Sequence, residues 1–247
     1  MAAALKARLA AGEQLVGVLL RMPAEELTEM VAVSGFDFIV IDCEHGPADV
    51  ADLRSHLALA ACHGVEVLVR VGSAEPALVL RALDQGAAGI IAPHIDSAAD
   101  AQALVDSVHY PPLGHRGFAT YSRAGRFGLT DPGEHRQRLV EETLLIGMIE
   151  SPAGVARAAE ILAVPGIDGT MIGTADLGAS RTASDPALAD LVAEVHRVLA
   201  GSSARRMDIV PGVDAAAQAL AGGADLVVYN LAHTLMGHLA DLRSAQR

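Results

Sequence analysis

A closed (β/α)8 TIM barrel, forming a single domain over residues 1–247, is the fold this sequence predicts. Three observations carry that expectation. The chain has 247 residues, close to the ~250 typical of such barrels. Eight short apolar runs alternate with Ala- and Leu-rich stretches of helical length. Apolar residues make up 51% of the chain, yet there is no Trp and there are only three Tyr and four Phe. The core must then come from Ala, Val, Leu and Ile, which suits Val/Ile strands covered by Ala/Leu helices.

In chain order, the predicted strands are 15–20, 38–41, 66–71, 88–92, 144–149, 169–172, 208–210 and 225–229. The predicted helices are 24–34, 49–62, 75–85, 97–108, 153–163, 185–200, 213–221 and 232–244. Strict alternation implies parallel strands joined by right-handed crossovers. An open, Rossmann-like sheet is the alternative, but no GxGxxG opens a helix after the first strand. One long irregular stretch, 110–133, contains Tyr110, Tyr121, Phe118, Phe127, Arg116, Arg123 and Arg126. Disordered segments use few aromatics, so this stretch is expected to be an ordered lid or an intersubunit element.

Charge and composition exclude several function classes. The formal net charge is −12, which argues against nucleic acid and an anionic membrane surface as partners. A local Arg can still hold an anionic substrate. Cys43 and Cys62 form no CxxC pair and read as two buried thiols of a reducing cytoplasm. The N-terminus MAAALKARLAAGEQ lacks the apolar region of a signal peptide, and no apolar run reaches membrane-spanning length. Lys6 is the only lysine, in a segment that reads as an exposed helix. Pyridoxal phosphate chemistry, a Schiff-base lysine and a Walker-type phosphate lysine are therefore not expected.

In a barrel, chemistry sits where strands end. FIVIDCEHGP ends in Asp42, Glu44 and His45, EVLVRV brings Arg70, LLIGMIE ends in Glu150, and GTMI leads into Gly173, Thr174, Ala175 and Asp176. Taken singly, each group has a structural reading as well. Asp176 suits an N-cap for a helix starting at Leu177, Asp42 could hold a turn, Arg70 a salt bridge, and His45 a His-Gly-Pro turn. Taken together, they place two carboxylates, a cation and an Asp42–His45 pair on one rim. Two carboxylates can hold Mg²⁺ or Mn²⁺ with open positions. Such an ion polarises a carbonyl, an Arg stabilises a developing enolate, and a His held by Asp moves a proton near pH 7. The set suits metal-assisted enolisation and carbon–carbon cleavage next to a 2-oxo acid. Ser–His–Asp hydrolysis lacks its GxSxG elbow.

These blocks resemble the HpcH/HpaI aldolases, the metal-dependent class II pyruvate aldolases. The resemblance runs in order through LKARLAAGEQLVGVLL, GFDFIVIDCEHGP, VEVLVRV, ALDQGAAGIIAPHIDSAADA, HYPPLGHRGF, MIESPAGV and IDGTMIGTADLGAS. It implies that Glu150 and Asp176 bind the metal, Mg²⁺ or Mn²⁺, with Co²⁺ or Zn²⁺ as further candidates. It implies that His45 is the base, with Asp42 beside it, and that Arg70 stabilises the pyruvate enolate. Asp84 would reach a neighbouring subunit's site and raise the basicity of its His. Gly173, Thr174 and Ala175 would cradle the carboxylate, with Arg116 and Met148 also lining the substrate pocket. Glu44 belongs to the signature either as a contact to water at the metal or as a brace of the turn. The implied assembly is a homo-oligomer, a hexamer or trimer of barrels with a swapped C-terminal helix, for which 231–242 is available. The sequence departs from the usual pattern at Thr174, where relatives carry Pro, and at Met148, where many carry Gln. It also has no Trp on its first strand. The implied reaction cleaves a 4-hydroxy-2-oxo acid to pyruvate, or a close 2-oxo acid, and an aldehyde. The alternatives are a citrate-lyase-like enzyme acting on an acyl-CoA, with its groove in the Arg-rich 116–138 segment, and a catalytically silent barrel.

Overall fold

The computed structural model describes residues 3–22, 24–72 and 75–244. Eight parallel strands close into a barrel in sequential order. The elements are α1 (Leu5–Ala10), β1 (Leu15–Leu20), α2 (Glu25–Val33), β2 (Phe38–Asp42), α3 (Val50–Cys62), β3 (Glu66–Arg70), α4 (Pro76–Asp84), β4 (Gly89–Ala92) and α5 (Ala98–Val108). They continue with α6 (Pro132–Glu142), β5 (Leu144–Ile149), α7 (Pro152–Ala156), α8 (Ala158–Leu162), β6 (Gly169–Ile172), α9 (Thr174–Ser180), α10 (Leu188–Ala200), β7 (Arg205–Val210), α11 (Val213–Ala221), β8 (Leu226–Asn230) and α12 (Leu231–Ser244).

Strand side chains alternate between two faces, and the sequence supplies apolar residues to both. Ile39, Ile41, Val67, Val69 and Ile90 pack outward against the helices. Phe38, Val40, Leu68, Ile146, Met148 and Met171 fill the barrel interior. Gly17 makes room for the largest of these, since a Cβ there would lie 2.5 Å from the Phe38 ring. Leu5 and Leu9 of α1 join the same interior cluster and close the end where the strands begin. The N-terminal helix is therefore a plug rather than an exposed appendage.

The structure corrects several expectations. Residues 153–163 form two short helices that meet at Arg157, not one. The segment following β6 is helical from Thr174, so Asp176 sits in the first turn of α9 and caps nothing at Leu177. Cys62 is exposed rather than buried. The irregular stretch ends in α6, where the Asp131 carboxylate caps by accepting the Gly133 and Glu134 N–H groups. Its remainder is ordered by its own backbone bonds, such as Gly128 to Thr120 and Phe127 to Ser122. Tyr110 is buried there against Phe118 and His135.

Candidate active site

Period-two alternation decides what reaches the mouth. Phe38 and Val40 point inward, so Asp42 does too. By the same parity Leu68 leads to Arg70, Met148 to Glu150, and Met171 to Gly173. Each polar residue comes where its strand runs out of barrel, and each of the three charged ones is buried. Met148 lies in the interior just beneath Glu150.

Asp42 is the hub of one side. It accepts from Arg70 Nε at 2.8 Å and Nη2 at 2.5 Å, and from Arg21 Nε at 2.9 Å. Its Oδ1 also receives the backbone N–H groups of Glu44 and His45 at 3.2 and 3.3 Å. Burial works to raise its pKa. The Arg70 bonds and charge, helped by those two N–H groups, outweigh burial and hold the carboxyl below its ordinary range. The expected Asp42–His45 side-chain pair is not formed. Asp42 holds His45 through its backbone, and the ring's acidic neighbour is Glu44, 3.8 Å from Nε2. Glu44 Oε2 in turn lies 3.2 Å from Arg70 Nη1. Glu44 thus links the imidazole to the guanidinium. Cys43 packs against the outer core, and burial together with the Asp42, Asp52 and Asp49 charges pushes its thiol up to about 11.

Glu150 is the hub of the other side. Its Oε1 accepts the His94 backbone N–H at 2.8 Å and lies 2.9 Å from His94 Nδ1. Burial raises its pKa, His94 lowers it, and the charges of Glu44 and Asp176 raise it further, with a net rise. A Cβ on residue 173 would fall 2.4 Å from Glu150 Oε2, so only glycine lets the carboxylate lie against the start of α9. Thr174, Ala175 and Asp176 are exposed on that first helical turn. Among the described residues no group of three or more His, Cys, Asp or Glu is placed to hold an ion. The available donor set is the pair Glu150 and Asp176. It fits a hard divalent cation: the donors are oxygens, the buried member is destabilised by like charge, and the glycine cradle leaves its Oε2 clear.

Asp84 and Arg116 are not brought to this rim. They pair with each other at 2.6 Å, at the far end of α4 where the chain returns to the start of β4. The 110–131 loop lies there as well. Ala124 bonds to Asp84 and Arg123 to Gln85, so the loop does not cover this chain's own mouth. A cavity of about 390 Å³ at that end is lined by Leu5, Arg8, Asp37, Glu66 and Ala124 and holds none of the rim groups. Sequence reasoning missed Arg21 and His94, although both directly follow or nearly follow predicted strands. Lys6, by contrast, pairs with Asp168 at 2.8 Å and bonds Thr143 at the base.

Comparison with known proteins gives this geometry its relatives. Residues 16–235 match the model of the HpcH/HpaI aldolase/citrate lyase family. A pyruvate aldolase of Rhizobium etli is 35% identical over 175 residues, which is 71% of this chain and 68% of that protein. A 2-keto-3-deoxy-L-rhamnonate aldolase of Escherichia coli K12 is 32% identical over 97% of this chain and 91% of its own length. The crystal structure of an HpcH/HpaI aldolase/citrate lyase family protein from Burkholderia cenocepacia superposes with a TM-score of 0.89, at 30% identity, over 98% of this chain and 99% of that one. The chain belongs to the HpcH/HpaI aldolase/citrate lyase family and is a carbon–carbon lyase.

Proposed function

We propose that the protein is a divalent-metal-dependent aldolase that cleaves a 4-hydroxy-2-oxo acid to pyruvate, or a close 2-oxo acid, and an aldehyde. The observation that carries this reading is the convergence on one rim of Glu150, beside Gly173 and the turn bearing Asp176, with Arg70 and His45. Relatives named for pyruvate and for keto-deoxy-sugar acids support the substrate class.

Glu150 and Asp176 would hold Mg²⁺ or Mn²⁺, which when bound supplies Lewis-acid polarisation of the 2-oxo group. The imidazole of His45 takes the proton of the 4-hydroxyl. The C3–C4 bond then breaks, the aldehyde leaves, and the electron pair passes into the pyruvate enolate. Arg70 stabilises the enolate oxygen. Its guanidinium has N–H donors beyond those directed at Asp42 and Glu44. A proton returned to C3 completes pyruvate. Asp42 positions both groups, Arg70 by its side chain and His45 by its backbone. The carboxylate of the substrate is received at Gly173, Thr174 and Ala175, with Met148 in the pocket floor.

The assembly we propose is a homo-oligomer, trimeric or hexameric. α12 buries none of its residues within the chain and exposes Met236, Leu239 and Leu242. The far loop exposes Tyr121, Phe127 and Leu129. Asp84 and Arg116, remote from their own rim, would then serve a neighbour's. Arg116, Arg123 and Arg138 engage Asp84, Gln85, Ala124 and Glu142 at that same end, so no observation favours an acyl-CoA groove at the mouth.

The test is exchange of the pyruvate methyl protons in D2O, followed by NMR with Mg²⁺ or Mn²⁺ and with EDTA. Metal-dependent exchange is expected. Its absence with every divalent ion tried would sink the pyruvate reading.

A further inference from the structure

The described residues include only three non-glycine positions with positive φ: His94, Arg126 and Phe127. Two lie in the far loop. His94 alone is at the rim, two residues after β4, with φ of 57°. A residue held in this region at a functional site is a reason to ask what the conformation achieves. Here the result can be read from the contacts to Glu150, one a backbone hydrogen bond and the other a close approach of the ring. The left-handed turn brings the backbone N–H and ring Nδ1 of one residue onto the same atom, Glu150 Oε1, at 2.8 and 2.9 Å. Both contacts fall on Oε1. Oε2, against Gly173, receives no hydrogen bond from any described residue. The His94 ring is otherwise open, with its side chain 65% exposed, so packing does not explain the conformation.

We propose that His94 is a positioning residue that occupies Glu150 Oε1 and so reserves Oε2 for the divalent cation. The inference rests on the proposed function and adds a residue to it. A backbone hydrogen bond and the imidazole contact on one carboxylate oxygen fix the rotation of the carboxylate plane. Without them, a buried carboxylate facing Glu44 and Asp176 would be free to turn. His94 need not touch the cation to do this, since Nδ1 faces the carboxylate.

The side-chain geometry provides a sharp test. The Nδ2 of Asn stands the same number of bonds from the backbone as the Nδ1 of His, and Asn tolerates positive φ. The amide nitrogen of Gln stands one bond further out. Gly adopts this φ freely and keeps the backbone N–H but has no ring, so His94→Gly removes the ring's contribution without backbone strain. Mn²⁺ binding to the full-length protein is measured by calorimetry and by loss of the free-ion EPR signal, for wild type, His94→Gly, His94→Ala, His94→Asn, His94→Gln and Glu150→Gln. Circular dichroism melts confirm that each is folded.

The expected result is that Gly, Ala and Gln weaken binding about tenfold or more while Asn stays within about threefold of wild type. The electron spin-echo spectrum of the wild-type Mn²⁺ complex should lack the ¹⁴N coupling of a directly bound imidazole. Two results would overturn the proposal while leaving the aldolase reading intact. One is Glu150→Gln losing the ion while His94→Gly keeps wild-type affinity. The other is a bound-imidazole ¹⁴N signal that His94→Asn abolishes. Folded wild type that takes up no Mn²⁺, or Glu150→Gln that binds as wild type does, would overturn both.

Discussion

At the base of the barrel, Asp168 accepts the Leu145 N–H at 2.8 Å and pairs with Lys6 at 2.8 Å. At the rim, Glu150 takes the His94 backbone N–H and the His94 ring contact on one oxygen and faces two other carboxylates. Two further acids at the base follow Asp168. Asp37 accepts from Val16 N–H and pairs with Arg8, and Asp225 accepts from Arg206 N–H and pairs with Arg205. Each of these three acids joins the start of one strand to its neighbour and has its own cation. The rim acids are crowded, and two cations, Arg70 and Arg21, are both committed to Asp42. Acids at the base serve the fold, whereas those at the rim keep an arrangement that a bound cation would relieve.

The largest expected effect tests the rim side of that contrast. Glu150→Gln should abolish methyl exchange, by about a thousandfold or more, and should raise the melting temperature of the metal-free protein, because it removes a buried charge facing like charges. A stability loss instead would mean that the rim is as well matched as the base. Next, His45→Ala should slow exchange by about 10²- to 10⁴-fold, the usual contribution of a positioned base, with Mn²⁺ affinity little changed.

Asp168→Ala should do the reverse, costing about 2–3 kcal/mol in urea unfolding for a lost backbone bond and ion pair, with kcat/KM of the folded fraction within about twofold of wild type. Subtler is the pH dependence. Asp42 has a lowered folded pKa, so its stabilisation is present above the unfolded carboxyl value and lost as pH falls through the folded one. Glu150 has a raised folded pKa, so its cost appears as pH rises above the unfolded value. In melts across pH 3–8, the penalty of Asp42→Asn should shrink toward acid while the gain of Glu150→Gln should grow toward neutral. The smallest effect is Lys6→Met. It should cost no more than about 1 kcal/mol for a partly exposed pair and leave turnover intact, as a mechanism without a Schiff base requires.

Much of this was legible in the residues. Every predicted strand is present, most within a residue of its expected ends, because Val/Ile runs bounded by Gly and charge have few other homes. Asp42, Arg70 and Glu150 announced themselves as charges directly beyond such runs. What stayed hidden was who holds whom. The sequence set Asp42 beside His45, yet a residue at i+3 past a strand end sits on a turn, and the carboxylate follows the strand's inward parity to Arg70. His94 was overlooked because a His after Pro carries no periodic signal; its role depends on a φ that sequence does not display. The base acids did leave a trace in the repeated Gly-x-Asp of Gly35–Asp37, Gly166–Asp168 and Gly223–Asp225. In each, a glycine with positive φ turns the chain from a helix toward a strand, and the acid follows.

The missing side chain at position 173 limits how far this pocket can be altered. Glu150 occupies the space a methyl group would need, so even Ala there would displace the carboxylate. Thr174 and Ala175, one and two residues on, are exposed and free of that constraint. The start of α9 is therefore one position fixed as glycine followed by two exposed positions. On the proposed function, which places the substrate carboxylate at this turn, substitutions at 174 and 175 would alter substrate preference while the charge arrangement beneath them stays where it is.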